Sequence, residues 1–207
     1  MTRFAPLVLL LLAACLRPAA GPSLDAARAQ IASLPAHVVS RGVILVQAGS
    51  PPRVASLTPS GKNGPVTTWQ SGDRVSLSFL QGVLVATRGL GDDLMAQDAG
   101  PLPKLLSQGQ GGTYQRQTRH LSGENQIRGT TLTCSLEPGN PERILLANGT
   151  TDARRFVENC HAGTLRITNL YWRDTRGSLV KSYQWISEGA GYATIEMISA
   201  PPGQKSP

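Results

Sequence analysis

Apolar and polar positions alternate with a period of two along most of the chain. "RVSLSF" shows the pattern in its simplest form: Val75, Leu77 and Phe79 fall on one side of an extended strand, and the serines fall on the other. Comparable runs predict further strands: "GVILVQA", "RVASLT", "GVLVAT", "TYQRQTRHL", "GTTLTCSL", "RILLANG", "RRFVENC", "TLRITNLYW", "SLVKSYQWI" and "YATIEMIS". Gly, Pro, Asn and Asp punctuate them at intervals of about a dozen residues. That spacing points to an all-β, single-domain antiparallel barrel or strongly curved sheet. A helical period appears near the start, where Leu24, Ala27, Ile31 and Leu34 share one side of "LDAARAQIASL". Ser23 caps this short N-terminal helix and Pro35 ends it. "DDLMAQ" and "LPKLLSQ" predict two minor helical insertions, "SQGQGG" a flexible loop and "PPGQKSP" a disordered tail.

The first residues follow a different pattern. Arg3 precedes an apolar run from Phe4 to Leu12, and Ala13 and Ala14 supply the small residues an export signal carries before its cleavage point. The run is roughly half the length needed to cross a bilayer as a helix. Leu12-Ala13-Ala14-Cys15 resembles the bacterial lipobox, which implies cleavage before Cys15 and lipid attachment to its thiol. A single acyl chain holds a protein to a membrane only marginally, whereas two or three, palmitate among them, hold firmly. Residues 1–14 are then a lipoprotein signal peptide, 15–22 a lipidated Pro/Ala/Gly tether, 23–200 one β-rich domain and 201–207 the tail. Leu16, rather than aspartate, follows the cysteine, so the expected location is the periplasmic face of the outer membrane.

With Cys15 lipidated, Cys134 and Cys160 remain in an oxidising compartment, 26 positions apart, and are expected to form a disulfide. A metal site at Cys160 and His161 lacks the CxxC or HxxxH spacing that would supply further ligands. The formal net charge of +7 becomes +6 once Arg3 is removed. These charges are dispersed, and no zinc finger, helix-turn-helix or dense basic block accompanies them, so nucleic acid is excluded as a partner. Acidic glycans, anionic headgroups or an acidic protein surface suit the balance better. Catalytic chemistry has little footing here. His37, His120 and His161 lie in separate segments without a nucleophile motif, and Asp92 and Asp93 are adjacent rather than opposed, with Asp92 expected to cap a helix. No catalytic residue, metal or cofactor is assigned, and the chain is expected not to be an enzyme.

Two blocks carry a family resemblance. In the first, Trp69 is followed by a strand and then by Gly82, Leu84, Val85, Thr87, Gly89, Leu90, Asp93 and Leu94; the second holds Tyr171, Trp172, Asp174, Gly177, Val180, Lys181, Ser182 and Gln184. Together they resemble the group 4 capsule polysaccharide lipoprotein family, also called the YjbF or GfcB family. The resemblance implies an all-β, barrel-like fold and a role in assembling or exporting an exopolysaccharide or capsule alongside other envelope proteins. The middle, from about Gly100 to Gly163, matches least, and the cysteine pair reads as a local staple.

The second block predicts a hairpin. If "DTRG" makes a tight turn, Trp172 faces Leu179, Leu170 faces Lys181, Thr168 faces Tyr183 and Arg166 faces Trp185. One side then carries Arg166, Trp172, Lys181, Tyr183 and Trp185, rings that stack on sugars beside cations that attract carboxylates. The same residues suit core packing or a partner-protein surface. Three functions remain in view: a lipid-anchored, non-catalytic accessory contacting polysaccharide or an export partner, a carrier enclosing an acyl chain or lipid-linked glycan, and a glycan-modifying enzyme. The carrier requires an apolar interior cavity, the enzyme an open cleft with converging carboxylates or histidines.

Overall fold

The computed structural model describes residues 22–121 and 126–199. The signal, Cys15, the tether as far as Gly21 and the tail lie outside the described residues. Two helices, α1 (Leu24–Ala32) and α2 (Ala36–Val39), lead into β1 (Val43–Ala48), β2 (Arg53–Asn63), β3 (Val66–Gln70), β4 (Ser76–Leu80), β5 (Val83–Arg88) and β6 (Leu94–Asp98). Helix α3 (Leu102–Gln108) precedes β7 (Gly112–Leu121), β8 (Ile127–Leu146), β9 (Gly149–Ala162), β10 (Leu165–Asp174), β11 (Leu179–Ser187) and β12 (Gly191–Ser199). All strands join one antiparallel sheet in the order 5-4-3-2-1-12-11-10-9-8-7-6, which curls until consecutive strands β5 and β6 meet as its two edges.

Side chains rather than a backbone ladder close that seam. Leu94 N donates to Thr87 Oγ1 at 3.0 Å, and Gln97 Nε2 donates to Leu84 O at 2.9 Å. The Arg88 guanidinium donates to Leu94 O and Met95 O, each at 3.2 Å. From across the barrel Gln184 accepts Leu84 N at 2.8 Å and donates to Gly82 O at 2.9 Å. Bare strand edges would recruit other chains, and these side chains satisfy the edge groups locally.

Inward-facing residues form two adjoining clusters. Ile44, Val46, Leu57, Trp69, Leu77, Phe79, Ile186 and Ile195 make the first. Val83, Leu132, Leu136, Phe156, Ile167, Tyr171 and Leu179 make the second, with Leu102 and Leu106 of α3 closing one end. A third cluster lies outside the barrel, where Ala27 and Ile31 of α1 pack with Leu24 and Leu34 on Val43, Leu45 and Ile198. The helical face expected from the sequence is the one buried. Each fully buried leucine or isoleucine contributes about 1.5–3 kcal/mol.

Several local expectations change. "DDLMAQ" is not helical: Leu94–Asp98 is strand β6, paired to β7. Asp93 folds the preceding loop by accepting Thr87 Oγ1 at 2.7 Å, Gly89 N at 2.9 Å and Leu90 N at 3.2 Å. Asp92 caps no helix either; its Oδ2 accepts Gly189 N at 2.8 Å and pins the β11–β12 turn. Pro35 stops α1 but also starts α2. "SQGQGG" shrinks to a short connection, because Ser107 and Gln108 complete α3 and Gly109, at φ +69°, ends it in the left-handed conformation. "VTTWQ" adds a strand, and "GTTLTCSL" and "RILLANG" merge into β8, whose register shifts between Pro138 and Pro141.

The length of β8 has a further effect. β10 ends at Asp174, opposite Ala153, but β8 and β9 pair on as far as Leu146 and Gly149. The overhanging tip folds over the outer face of the sheet. There Ala147 N donates to Glu196 Oε2 at 3.1 Å and Asn148 Nδ2 to Ile198 O at 3.2 Å, while Ala147 packs against the α1 cluster. Hairpin tip and helix together form a second layer.

Candidate functional site

The β10–β11 hairpin orders the candidate residues, but in a register different from the one expected. Leu170 pairs with Tyr183, Trp172 with Lys181 and Arg173 with Leu179, with a bulge between the last two pairs. The cause is a wider turn. Asp174 N donates to Ser178 O at 2.9 Å, and the Asp174 carboxylate accepts Arg176 N at 3.0 Å and Ser178 N at 2.8 Å. The bulge moves Leu179 from the aromatic side into the second core cluster. Elsewhere the expected sides persist: Ile167, Asn169, Tyr171, Ser182, Gln184 and Ile186 are buried, while Arg166, Tyr183 and Trp185 retain exposure.

The candidate set separates into two places. Trp172 and Lys181 lie beneath the β8–β9 hairpin. Trp172 is 9% exposed, its Nε1 donates to Glu142 Oε1 at 2.5 Å, and Lys181 Nζ stands 5.5 Å from its ring centroid. Lys181 also lies 3.8 Å from Glu196 Oε1. Glu196 is fully buried and accepts both Nε (3.2 Å) and NH2 of Arg28, in addition to Ala147 N. The hydrogen bonds it donates to Glu196 raise the pKa of Arg28 despite partial burial. These side chains bind one another and join α1 to the hairpin.

Arg166, on β10, and Tyr183 and Trp185, on β11, lie toward the other end of the same strands. The ladder between β10 and β11 stops at Leu170 and Tyr183, and beyond it the strands splay into a fork. Side chains bridge the gap: Trp185 N donates to Asn169 Oδ1 at 2.7 Å, and Thr168 N to Tyr192 OH at 3.4 Å. Tyr183 and Tyr192 stack at 4.4 Å and 4°, and burial followed by the neighbouring Tyr192 raises the Tyr183 pKa. Trp185 meets the edge of His120 at 5.1 Å, and His120 Nε2 sits 2.7 Å from Ile186 O. On the opposite bank, Thr168 Oγ1 donates to Asn159 Oδ1 at 2.9 Å. Arg166 is exposed, its guanidinium donating to Gly163 O at 2.6 Å and Leu165 O at 2.9 Å. The fork therefore has one aromatic and one polar, cationic bank. Sequence reasoning missed Tyr192, His120 and Asn169, because the splay that recruits them is a long-range event.

A third constellation lies inside the barrel. Cys134 and Cys160, directly paired on β8 and β9, are disulfide-bonded. Beside them the fully buried Glu158 accepts Tyr114 OH at 2.7 Å, Asn169 Nδ2 at 2.6 Å, Tyr171 OH at 3.2 Å and Arg116 NH2 at 3.2 Å. Burial, then the Glu158 charge, pushes both phenols well above the ordinary tyrosine range. Strand alternation carried the signal for this site, since Glu158 shares the inward side with Phe156 and Cys160. Cys134, Glu158 and Cys160 are the ligand-type groups that cluster among the described residues, but here the sulfurs bond each other and the carboxylate is engaged by Arg116. His161 is exposed on the opposite side of β9 from Cys160, so those two cannot share an ion.

A family model described as group 4 capsule polysaccharide lipoprotein gfcB, YjbF matches residues 13–198. The chain belongs to this family. The crystal structure of the hypothetical lipoprotein YmcC from Escherichia coli (K12) is similar, with a TM-score of 0.67 and 16% identity, covering 88% of this chain and 99% of that one. At that identity the likeness is one of fold. Comparison with curated proteins gives no match.

The YjbF pattern can now be read physically. Thr87, Asp93 and Gln184 close the barrel seam, and Asp174 shapes the bulged turn. Trp69 and Tyr171 fill the interior. Gly82, at φ +84°, lies so close to Leu179 that a Cβ there would collide with its Cδ2. Apart from Trp172 and Lys181, which tie the outer layer to the sheet, these residues build the barrel. The fork is lined by residues outside the pattern.

Proposed function

We propose that this protein is a lipid-anchored, non-catalytic envelope lipoprotein that assists assembly or export of an acidic exopolysaccharide or capsule. In this reading lipidated Cys15 holds it at the periplasmic face of the outer membrane, and the β10–β11 fork contacts the polysaccharide or an export partner. The observation that carries the proposal is the fork itself: Tyr183, Tyr192 and Trp185 provide ring faces and edges opposite Arg166, the pairing of surfaces that suits a sugar bearing carboxylates. Trp172 is set aside as a contact because it is buried, and Lys181 because its ammonium lies against the Trp172 ring and Glu196.

The interior supports an accessory over a carrier. Two side-chain clusters and the Glu158 network occupy the barrel, and a groove of about 310 Å³ lies outside it, between α1 and β2. Against an enzyme stand the dispersal of the histidines and the engagement of Asp92 and Asp93 in loop hydrogen bonds. Among the described residues no helix is long and apolar enough to cross a membrane.

The test uses the lipidated chain in detergent micelles, titrated with exopolysaccharide from the producing cell. Tyr183→Ala and Trp185→Ala should each weaken binding by about three- to tenfold, the loss expected for an aromatic contact. Deletion of the gene should reduce secreted polymer, restored by wild type and not by Cys15→Ala. Failure of the wild type to bind, with export unaltered by the two fork variants, removes the glycan-contact reading.

A further inference from the structure

The end of the β8–β9 hairpin has two unlike faces. Glu142, Ile144, Leu146 and Ala153 turn inward against the sheet, and register places Pro141 with Arg154, Arg143 with Asp152 and Leu145 with Thr150 on the opposite, exposed face. Leu145 is 57% exposed, and Leu121 and Ile127 are the other large apolar side chains exposed among the described residues, at the far hairpin of β7 and β8. Arg143 is the next residue along this face from Leu145 and Arg154 lies one rung further from the tip, with Asp152 in the row between them. Arg143 lies 3.7 Å from Asp152 with both side chains largely in water, a pair too loose to use up its charge. Because Glu196 and Ile198 O hold the tip, this face is presented in a fixed orientation.

We propose that this face, with Leu145 as the apolar point near the tip and Arg143 and Arg154 following along it, lies on the anionic bilayer surface that holds the protein. The inference rests on the reading that Cys15 is lipidated. Its support is the position of the hairpin relative to the tether. Cys15 stands seven residues before Pro22, a reach of up to about 25 Å when extended. Arg28 of α1 and Ala147 of the tip bind the same Glu196 carboxylate, so the helix that follows the tether lies beside the hairpin. One leucine and two arginines bind a membrane weakly by themselves. Attached to an acylated cysteine they act at high effective concentration, where a weak second contact sets orientation. The fork opens toward the start of β10, whereas the hairpin overhangs its end, so this orientation turns the fork away from the lipid.

The native cysteines suit a direct test, since Cys15 is acylated in this reading and Cys134 is bonded to Cys160. Leu145→Cys and, as a control on the exposed side of β7, Gln115→Cys receive an environment-sensitive fluorophore. The lipidated chains are reconstituted into phosphatidylethanolamine/phosphatidylglycerol vesicles containing doxyl-labelled lipid. Quenching at position 145 should exceed that at 115 by about threefold or more, and Arg143→Glu in the Leu145→Cys background should remove at least half of the excess. Equal quenching at the two positions, in protein that floats with the vesicles and whose N-terminal peptide carries the acyl mass, overturns this inference alone. An unmodified Cys15 in protein that does not float overturns it together with the reading on which it rests.

Discussion

Among the described residues two glutamates, Glu158 and Glu196, are fully buried, and they are neutralised in different ways. Glu158 lies inside the barrel and draws its partners from β7 and β10, the strands nearest to β9 apart from β8. Glu196 lies on the outer face of β12 and draws its partners from α1, β11 and the tip of β8–β9, segments far apart in sequence. The first belongs to the barrel wall and forms when that wall forms. The second depends on the docking of an outer layer onto that sheet. A buried carboxylate without partners is costly in either place, so one stabilises the barrel and the other specifies what covers it.

The largest expected effect comes from breaking the inner site. Glu158→Ala leaves the Arg116 guanidinium buried beside the disulfide without its carboxylate, and should cost about 3–5 kcal/mol in urea unfolding. A loss below about 1 kcal/mol would mean that the interior rehydrates and that the site is less dry than its geometry indicates. The outer site should yield less. Arg28→Ala removes two hydrogen bonds from Glu196 but leaves Lys181 and Ala147 N, so about 1–3 kcal/mol is expected. Its signature should be local, with faster hydrogen exchange in α1 and residues 143–152 and an unchanged rate in residues 153–162 of β9 and in β10. Uniform acceleration would contradict the division into barrel and cover.

The smallest effect separates the two sites by pH. Tyr114 and Tyr171 keep their protons in the folded state beyond the pH at which the unfolded chain loses them. Their contribution is therefore complete below the unfolded tyrosine value near 10 and is lost as pH rises above it, about 1.4 kcal/mol for each at pH 11. Tyr171→Phe should flatten the alkaline decline by that amount, and Arg28→Ala should leave its slope intact, because the partners of Glu196 include no phenol. An equal slope in wild type and Tyr171→Phe would count against the inner network.

Much of this arrangement was legible in the residues. Strand alternation marked Leu77 and Phe79, Ile167 and Tyr171, and Gln184 and Ile186 as sharing sides, and those sides are the buried ones. Cys134 and Cys160 invited pairing and face each other across β8 and β9. Where the reading missed, the deciding contact was distant or the turn was wider than its sequence indicated. "DDLMAQ" carries helical composition, but the Asp93 carboxylate caps the preceding loop and β7 captures Leu94–Asp98. The tight turn expected at "DTRG" widened because Asp174 accepts the amides of both Arg176 and Ser178, and the resulting bulge carried Leu179 inward.

The candidate site was legible as a composition rather than as a place. Arg166, Trp172, Lys181, Tyr183 and Trp185 share one side of a hairpin, as their spacing indicated, and period two determines this whatever the register. Which of them reach solvent was settled by two long-range events: the β8–β9 tip folding over Trp172 and Lys181, and β10 parting from β11 at Tyr183. The sequence by itself determined the strands, their inward and outward sides, the helix face and the cysteine pairing, because these depend on local dihedral periodicity and residue chemistry. The tertiary structure alone decided the seam between β5 and β6, the fork and the covered outer face, because each depends on contacts between separate elements, such as Gln184 with Leu84 or Arg28 with Glu196, whose meeting no local pattern encodes.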